Sequence, residues 1–341
     1  MSLGLHDFDF ELPERLIAQY PVHPRDHAKL LVYDRVTQSI QDCFFYELDN
    51  LLNPDTTLVL NNTRVEKCRL LFEDGKMEVF VLETIDPYCV QALVRPGKKF
   101  KVGKTISLAP SLRAQVLSIS EGGLRTLRLS HTYDDPIFES FKHTPLPPYI
   151  VQNEALSEEY QTIYAKYGGS KAAPTAGLHF TPDLMQRIAK SGVAIEELTL
   201  HVGMGTFAPV KTERIQEHIM HEENYLLTEK VASRLAKSRH ITAVGTTSVR
   251  VLESVVAINS VNVSHAFRKF NTGSGSTDIF ITPGYRYQAV DALITNFHLP
   301  KSTLLMLVAA FVGLEEMHRI YAHAIASEYR FYSFGDAMLL R

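Results

Sequence analysis

Between Arg64 and Ser130 the chain offers strand-like runs and no convincing helix: RLLF, KMEVFVLE, YCVQALVR, TISLA, LRAQVLSI and LRTLRL. Turn residues cut them apart at Asp74-Gly75, Pro96-Gly97 and Gly122-Gly123. Short apolar or alternating segments recurring in this way predict a small antiparallel β-barrel-like unit. Asn61-Asn62-Thr63 bounds it on one side, and the Pro-rich HTPLPPYI of residues 143–150 bounds it on the other, a stretch that disfavours regular structure. A chain of 341 residues exceeds what one ordinary core holds. The expected organisation is a domain of residues 63–145 inserted into a larger α/β (α+β) catalytic domain made of 1–62 and 146–341.

The flanking segments have a different texture. KLLVYDR (29–35) and SIQDCFF (39–45) read as a hairpin, with a buried strand at 56–60. After residue 150, strands alternate with capped helices, the signature of a layered α/β or α+β structure. One helix starts at Thr181, with Pro182 in its first position and Gly192 beyond its end; another starts at Thr228. The strands EELTLHV (196–202), HITAVG (240–245) and VDALITNF (290–297) each run into a polar loop. Ligand sites in α/β sheets favour such strand ends.

With hydrophobic residues at 45% and charged residues at 21%, the chain is globular rather than disordered. Met1 to Phe10 carries Asp7 and Asp9 and no basic n-region, so it does not read as a secretory signal. The apolar run Leu304–Leu314 is too short for a bilayer and reads as a buried helix. No membrane span and a cytoplasmic location are expected. Cys43, Cys68 and Cys89 form no CxxC pair and read as reduced core residues. The net charge of -3 argues against a generally basic nucleic-acid binder but leaves room for a local patch. RPGKKFKVGK (95–104), with Lys98, Lys99 and Lys101, is such a patch, although taken alone it reads first as an ordinary solvated loop.

Several loops carry chemistry. ITAVGTTSVRVLES (241–254) reads as a strand, a Gly-Thr-Thr-Ser turn and a helix bearing Arg250. Its helix-start N–H groups, the hydroxyls of Thr246, Thr247 and Ser248, and the guanidinium are expected to converge on a carboxylate or phosphate, although helix capping explains one hydroxyl by itself. LHVGMGTFAPV (200–210) imitates a dinucleotide fingerprint, but Pro209 and the missing helical period exclude it. HIMHEENY (218–225) has the spacing HxxHE, which fits neither zinc-protease frame, so His218 reads as a solvated or core histidine while His221 and Glu222 stay acid/base candidates. GGSKAAPTAGLHF (168–180) delivers Thr175, Gly177 and His179 just before a helix. Residues 277–303 place Asp278, Tyr285, Tyr287, Asp291, Asn296 and His298 around two strand-like runs; the Asn-Phe-His at a strand end is the hardest of these to explain by packing. In RFYSFGDAMLLR, Ser333, Gly335 and Asp336 read first as a turn capping the last strand.

These stretches, together with DFDFELPERLIAQYP (7–21), RDHAKLLVYDR (25–35), LVLNNTRV, PPYI, YQTIYA, AAPTAGLHFT and FYSFGDAMLL, resemble the S-adenosylmethionine:tRNA ribosyltransferase-isomerase family of queuosine biosynthesis. The likeness covers nearly the whole chain, and its motifs are long and irregular. It departs from the family pattern at Lys171, at Met204 and at Glu66-Lys67-Cys68, none of which removes a His, Asp, Asn or Arg candidate. The resemblance implies two domains with a β-barrel-like insert, tRNA and S-adenosylmethionine as substrates, no prosthetic group and no metal. It implies that the ribosyl part of S-adenosylmethionine passes to 7-aminomethyl-7-deazaguanine (preQ1) at the wobble position, giving epoxyqueuosine-tRNA, adenine and methionine.

Such a reaction needs a base for the carbon beside the sulfonium and a donor for departing adenine. His201, His221, Glu222 and His298 form the expected acid/base pool. Arg250 with Thr246 and Ser248 suits the methionine carboxylate, and Asp278 or Asp291 the amino group or sulfonium. Thr175, His179 and Asn296 are expected to contact substrate, and Arg64, Lys98, Lys99 and Lys101 to contact RNA. A monomer is expected. A metal-dependent hydrolase and a non-catalytic RNA-binding module are the competing readings; a class I methyltransferase lacks its glycine-rich strand-to-helix motif.

Overall fold

The computed structural model describes residues 3–151, 153, 155–203, 210, 212–258 and 268–341. Its first strands are β1 (Lys29–Asp34), β2 (Ser39–Phe44), β3 (Thr56–Asn61) and β4 (Thr63–Val65), with a single helical turn α1 (Leu48–Leu51) before β3. The chain separates into two compact units, one of residues 1–64, 147–152 and 158–341, the other of 65–146 and 153–157.

The smaller unit holds β5 (Arg69–Phe72), β6 (Met77–Asp86), β7 (Cys89–Arg95), β8 (Thr105–Ala109), β9 (Leu112–Ile119), β10 (Arg125–Leu129) and β11 (Lys142–His143). They form one antiparallel sheet in the order β11-β5-β6-β7-β10-β9-β8. The apolar or alternating runs are strands, and the alternation is clearest in β9, which sends Leu112, Ala114 and Val116 inward and Arg113, Gln115 and Leu117 outward. β8 and β11 are the outer strands of this order and do not pair with each other, so the sheet is an open, curled one rather than a closed barrel. The basic loop lies between β7 and β8, with Lys98, Lys99 and Lys101 exposed.

After the short α2 (Leu156–Glu159), which passes from the smaller unit to the larger, the larger unit continues with β12 (Tyr167–Ser170), α3 (Pro182–Lys190), β13 (Ala194–Leu200), β14 (Glu223–Leu227), α4 (Glu229–Leu235), β15 (His240–Val244) and α5 (Thr246–Val255). Then come β16 (Val256–Ile258), β17 (Arg268–Phe270), β18 (Gly273–Thr277), β19 (Ala292–Asn296), α6 (Thr303–Val312), α7 (Leu314–Ala326) and β20 (Ala337–Leu340). Nine strands make one mixed sheet, β18-β14-β13-β3-β15-β19-β20-β1-β2. Its middle strands β13, β3, β15 and β19 are parallel; β14 and β18 run antiparallel to their neighbours, and β20 is antiparallel to β19 but parallel to β1.

Period-two alternation divides this sheet between two cores. Leu31, Tyr33, Val59, Ala243, Leu293 and Met338 face one side, where α4 to α7 pack; Leu30, Val32, Leu58, Leu60, Ile294 and Leu339 face the other, against α1 and α3. A sheet covered on both faces explains why its strands read as continuous apolar runs. The capping residues act as the sequence predicts: Thr181 accepts from the Leu184 N–H at 3.2 Å and Thr228 from that of Val231 at 3.4 Å. Two local readings need correction. The run Leu304–Leu314 is not one helix, because the chain turns at Gly313 (φ 95°) and α7 begins there. The Gly-Thr-Thr-Ser segment is not a turn before a helix: α5 starts at Thr246, with Gly245 (φ 84°) as its cap. Among the described residues no helix is long and apolar enough to cross a membrane, and all three cysteines are buried and outside any disulfide.

Candidate active site

The parallel strands β3, β13, β15 and β19 all finish at the same sheet edge, and a cavity of about 310 Å³ opens there. Gly245, Thr246 and Thr247 enter from β15, residues 295–302 from β19, and Val202 from β13. The loop 172–176, Tyr149, Tyr332 and Ser333 complete the walls. Among its lining residues Lys301 alone carries a fixed charge, and its ammonium lies 2.7 Å from Asp9. The site is close to electrically neutral.

Its polar groups form two short chains of hydrogen bonds. Thr175 Oγ1 donates to Asn296 Oδ1 at 2.8 Å, and Asn296 Nδ2 lies 3.2 Å from His179 Nε2. With the Asn carbonyl satisfied by Thr175, its amide must donate, so His179 Nε2 accepts and the ring is neutral. Burial, reinforced by the charges of Arg330 and Arg25, pushes His179 down to about 3. The second chain joins Thr295 Oγ1 to His298 Nε2 at 2.9 Å, while the Tyr321 hydroxyl accepts from the His298 backbone N–H at 2.9 Å. Burial alone pushes His298 down to about 3. Both histidines remain uncharged throughout the physiological range.

Opposite them, the Tyr149 hydroxyl and Ser333 Oγ are 2.6 Å apart, and the Tyr149 ring packs on Tyr332 with centroids 4.7 Å apart. Burial pushes the Tyr149 phenol up to about 12, so it stays protonated. Tyr332 (φ 72°) and Lys301 (φ 57°) both hold left-handed backbone, which side chains other than glycine rarely adopt. Such strain concentrates at functional sites because packing must hold it there. Sequence reasoning missed Tyr149, Tyr332 and Lys301, and a positive φ leaves no mark on a single sequence. Ser333 was visible but read as part of a turn. That turn exists: Asp336 accepts from the N–H groups of Arg330 at 2.7 Å and Lys29 at 3.0 Å, and burial raises its carboxyl.

Of the candidates read from the sequence, Thr175, Thr246, Asn296 and His298 line the cavity, and His179 lies behind Asn296. Other candidates lie elsewhere. Ser248 is fully buried and donates at 2.8 Å to the carbonyl of Val244, the last residue of β15. Arg250 is buried against the Glu223 carboxylate and reaches the Thr277 carbonyl at 3.2 Å. Thr246, Ser248 and Arg250 therefore do not converge. Glu223 also accepts from the Gly203 N–H at 2.9 Å, so this ion pair ties the end of β13 to β14.

His201 is half-buried beside the cavity wall, its Nδ1 2.8 Å from Thr63 Oγ1. His221 and Glu222 are exposed, with Ser276 donating to the Glu222 carboxylate, and Asp278 is exposed after β18. Asp291 precedes β19, at the opposite end of that strand from Asn296, where it accepts from the Ile241 N–H at 2.7 Å and pairs with Arg268 at 2.5 Å. His218 packs edge-on against Phe280. Arg64 is exposed on β4; Lys99 pairs with Glu73 at 3.0 Å. The segment 204–209, with Met204 and the second glycine of the GxG, lies outside the described residues. Among the described residues no group of three or more His, Cys, Asp or Glu side chains is arranged to hold a metal.

Comparison with known proteins gives a consistent picture. Residues 5–340 match the family described as queuosine biosynthesis protein. The chain is 47% identical over 348 residues to the S-adenosylmethionine:tRNA ribosyltransferase-isomerase of Desulfitobacterium hafniense, covering 99% of this chain and 100% of that one. It is 46% identical over 345 residues to the protein of the same name from Thermotoga petrophila, with the same coverage. A crystal structure of S-adenosylmethionine tRNA ribosyltransferase from Thermotoga maritima is similar with a TM-score of 0.54 and 37% identity, covering 98% of this chain and 100% of that one.

Proposed function

The chain belongs to the queuosine biosynthesis protein family, and on that premise we propose that it is an S-adenosylmethionine:tRNA ribosyltransferase-isomerase acting on tRNA with preQ1 at the wobble position. Its products in this reading are epoxyqueuosine-tRNA, adenine and methionine. The observation that carries the reading is the cavity at the carboxyl ends of β15 and β19. Its size suits a small ligand, and its mixture of apolar walls with a few oriented polar groups suits a nucleoside.

In this proposal the donor occupies that cavity. Thr175 and Asn296 bind it, held in place by His179, and the Gly245-led start of α5 with Thr246 receives the methionine carboxylate. His298 is neutral, so in this reading it accepts a proton rather than supplies one, and its burial beside a sulfonium makes it a weak base. The Tyr149 phenol, protonated and joined to Ser333, is a donor for departing adenine. His201, His221 and Glu222 face the acceptor side. Arg250 acts as a positioning residue through Glu223, and Asp291 through its bond to the start of β15. Asp278 stays a candidate for the donor's amino group. Arg64, Lys98, Lys99 and Lys101 meet RNA phosphates, the 63–145 segment is an inserted domain, and the protein acts as a cytoplasmic monomer without a prosthetic group or metal.

The test is incubation with S-adenosylmethionine and preQ1-tRNA, followed by mass identification of the nucleosides and measurement of adenine. Adenine release with an epoxyqueuosine nucleoside is the expected result. A methylated nucleoside, or turnover that needs a stoichiometric metal, overturns the reading.

A further inference from the structure

Beside the cavity, on the other side of the same strand end, lies a broad groove of about 780 Å³. Val202 faces the cavity and the preceding His201 faces the groove; likewise 172–176 wall the cavity and 166–168 wall the groove. We propose that this groove receives a nucleotide of the RNA substrate adjacent to the modified one, with its base stacked on the ring of Tyr167. The inference rests on the tRNA reading given above.

Tyr167 is 54% exposed although it belongs to strand β12, and its ring makes no aromatic or cation contact among the described residues. An exposed aromatic face beside two glycines offers a flat, uncrowded platform. Gly168 is exposed, and Gly169 (φ 125°) carries the His201 ring so closely that a Cβ there would lie 3.0 Å from Nδ1. Tyr225 and its register partner Gly275 turn to the core face of this ladder, where the Tyr225 ring packs against the larger core, which leaves Thr199, Asn224, Leu226, Ser274 and Ser276 on the face that floors the groove. Asn224, Ser274 and Ser276 are exposed around it, and their amide and hydroxyl groups can bond base edges.

The charges around the groove match an RNA strand. Arg64 is exposed on β4, the strand paired with β12, and has no carboxylate partner among the described residues. Lys166 is exposed beside it, sharing its charge with Glu197 at 2.5 Å. A wobble base can enter an enclosed cavity only by leaving its stack, and its neighbour then loses a stacking partner. An aromatic ring next to the cavity mouth replaces that partner, as single-stranded RNA recognition generally does. A peptide laid along β18 would instead use the strand's backbone groups and make no use of Tyr167.

The experiment compares wild type, Tyr167→Ala and Tyr167→Phe for binding of an anticodon stem-loop by fluorescence anisotropy, with S-adenosylmethionine affinity and thermal unfolding as controls. Tyr167→Ala should weaken RNA binding roughly tenfold, the scale of one base–aromatic stack, and Tyr167→Phe should bind as wild type does. Donor affinity and unfolding temperature should not change. RNA affinity within about twofold of wild type in a folded Tyr167→Ala protein, or equal losses in the Ala and Phe variants, overturns the proposal. A wild-type protein that binds the stem-loop but releases no adenine breaks the functional reading alone, because the Ala-to-wild-type binding ratio still decides the groove. A wild-type protein that binds no RNA overturns both.

Discussion

His298 and His221 stand on neighbouring parts of one sheet edge, yet they are different reagents. His298 is enclosed, its Nε2 is held by Thr295, and burial pushes it down to about 3. His221 is exposed on the approach to β14, next to the exposed Glu222. The cavity is built from neutral, oriented groups, whereas the β14–β18 ladder beside it carries the charges. A proton moved inside the cavity therefore travels between neutral partners or from a cationic substrate to a neutral one; one moved on the ladder exchanges with water. Histidine as a residue type does not distinguish these two cases, and burial does.

The Arg250–Glu223 pair joins the two regions, and disrupting it should have the largest effect. Arg250→Ala removes the buried guanidinium that balances the Glu223 carboxylate, which costs about 3–5 kcal/mol of stability. Thermal or urea unfolding measures this directly. The double variant Arg250→Met with Glu223→Gln should recover part of the loss, since no bare charge stays buried. If Arg250→Ala keeps its unfolding midpoint but loses S-adenosylmethionine affinity, the guanidinium is a ligand group and the division between the regions fails.

Within the cavity, Asn296→Ala removes the link between Thr175 and His179. Adenine release should fall by roughly 10²-fold, the scale of losing one preorganised donor, with a much smaller change in unfolding midpoint. Thr175→Val should act in the same direction and less strongly, because His179 still holds the amide. Wild-type turnover in Asn296→Ala would move the chemistry out of this cavity.

Much of this layout is legible in the sequence. Strands with period two, the Thr181 and Thr228 caps and the polar loops after strand ends follow from local rules, and those rules agree with the tertiary structure here. Asn296 and His298 were legible because an Asn-Phe-His run before a proline is difficult to account for by packing. The opening of the small sheet was not, because closure depends on whether β8 meets β11, a relation between distant segments. Nor was the fate of Arg250: its partner Glu223 sits 27 residues away, and alternation along β14 does not reveal which side chain meets α5. Tyr149 and Tyr332 meet from widely separated parts of the chain, so proximity in sequence carries no trace of their contact.

The pH response sharpens the same comparison at a smaller scale. His179 and His298 titrate near 6.5 when unfolded and are held down to about 3 when folded. Below about pH 6.5 the unfolded chain takes up protons that the folded chain refuses. Their contribution is therefore complete above that pH and is lost as pH falls, by about 1.4 kcal/mol per pH unit for each histidine. Urea midpoints at pH 7, 6 and 5 should decline accordingly, and His298→Gln should make the decline shallower. A flat profile from pH 7 to 5 would mean that the cavity histidines are not sequestered.

The smallest expected effect belongs to the basic loop of the β5–β11 unit, where charge acts through solvent alone. Lys98 and Lys101 are exposed with no carboxylate partner among the described residues, and Lys99 is tied to Glu73. The net charge of -3 does not prevent such a loop from attracting RNA, because screening over about 8 Å hides distant carboxylates from a phosphate. Replacing Lys98, Lys99 and Lys101 together with Ala should raise the tRNA KM about threefold and reduce the steepness of its salt dependence by roughly 1–2 counterions, the number expected when one or two phosphate contacts are lost. Donor affinity should not move, since none of these side chains lines the cavity. Lys99 should contribute least, because its charge is already partly satisfied. A triple variant with wild-type KM and salt slope would show that the loop does not meet RNA. The phosphate contacts would then belong to the larger unit, around Arg64 and Lys171, on the same side of the chain as the Tyr167 groove.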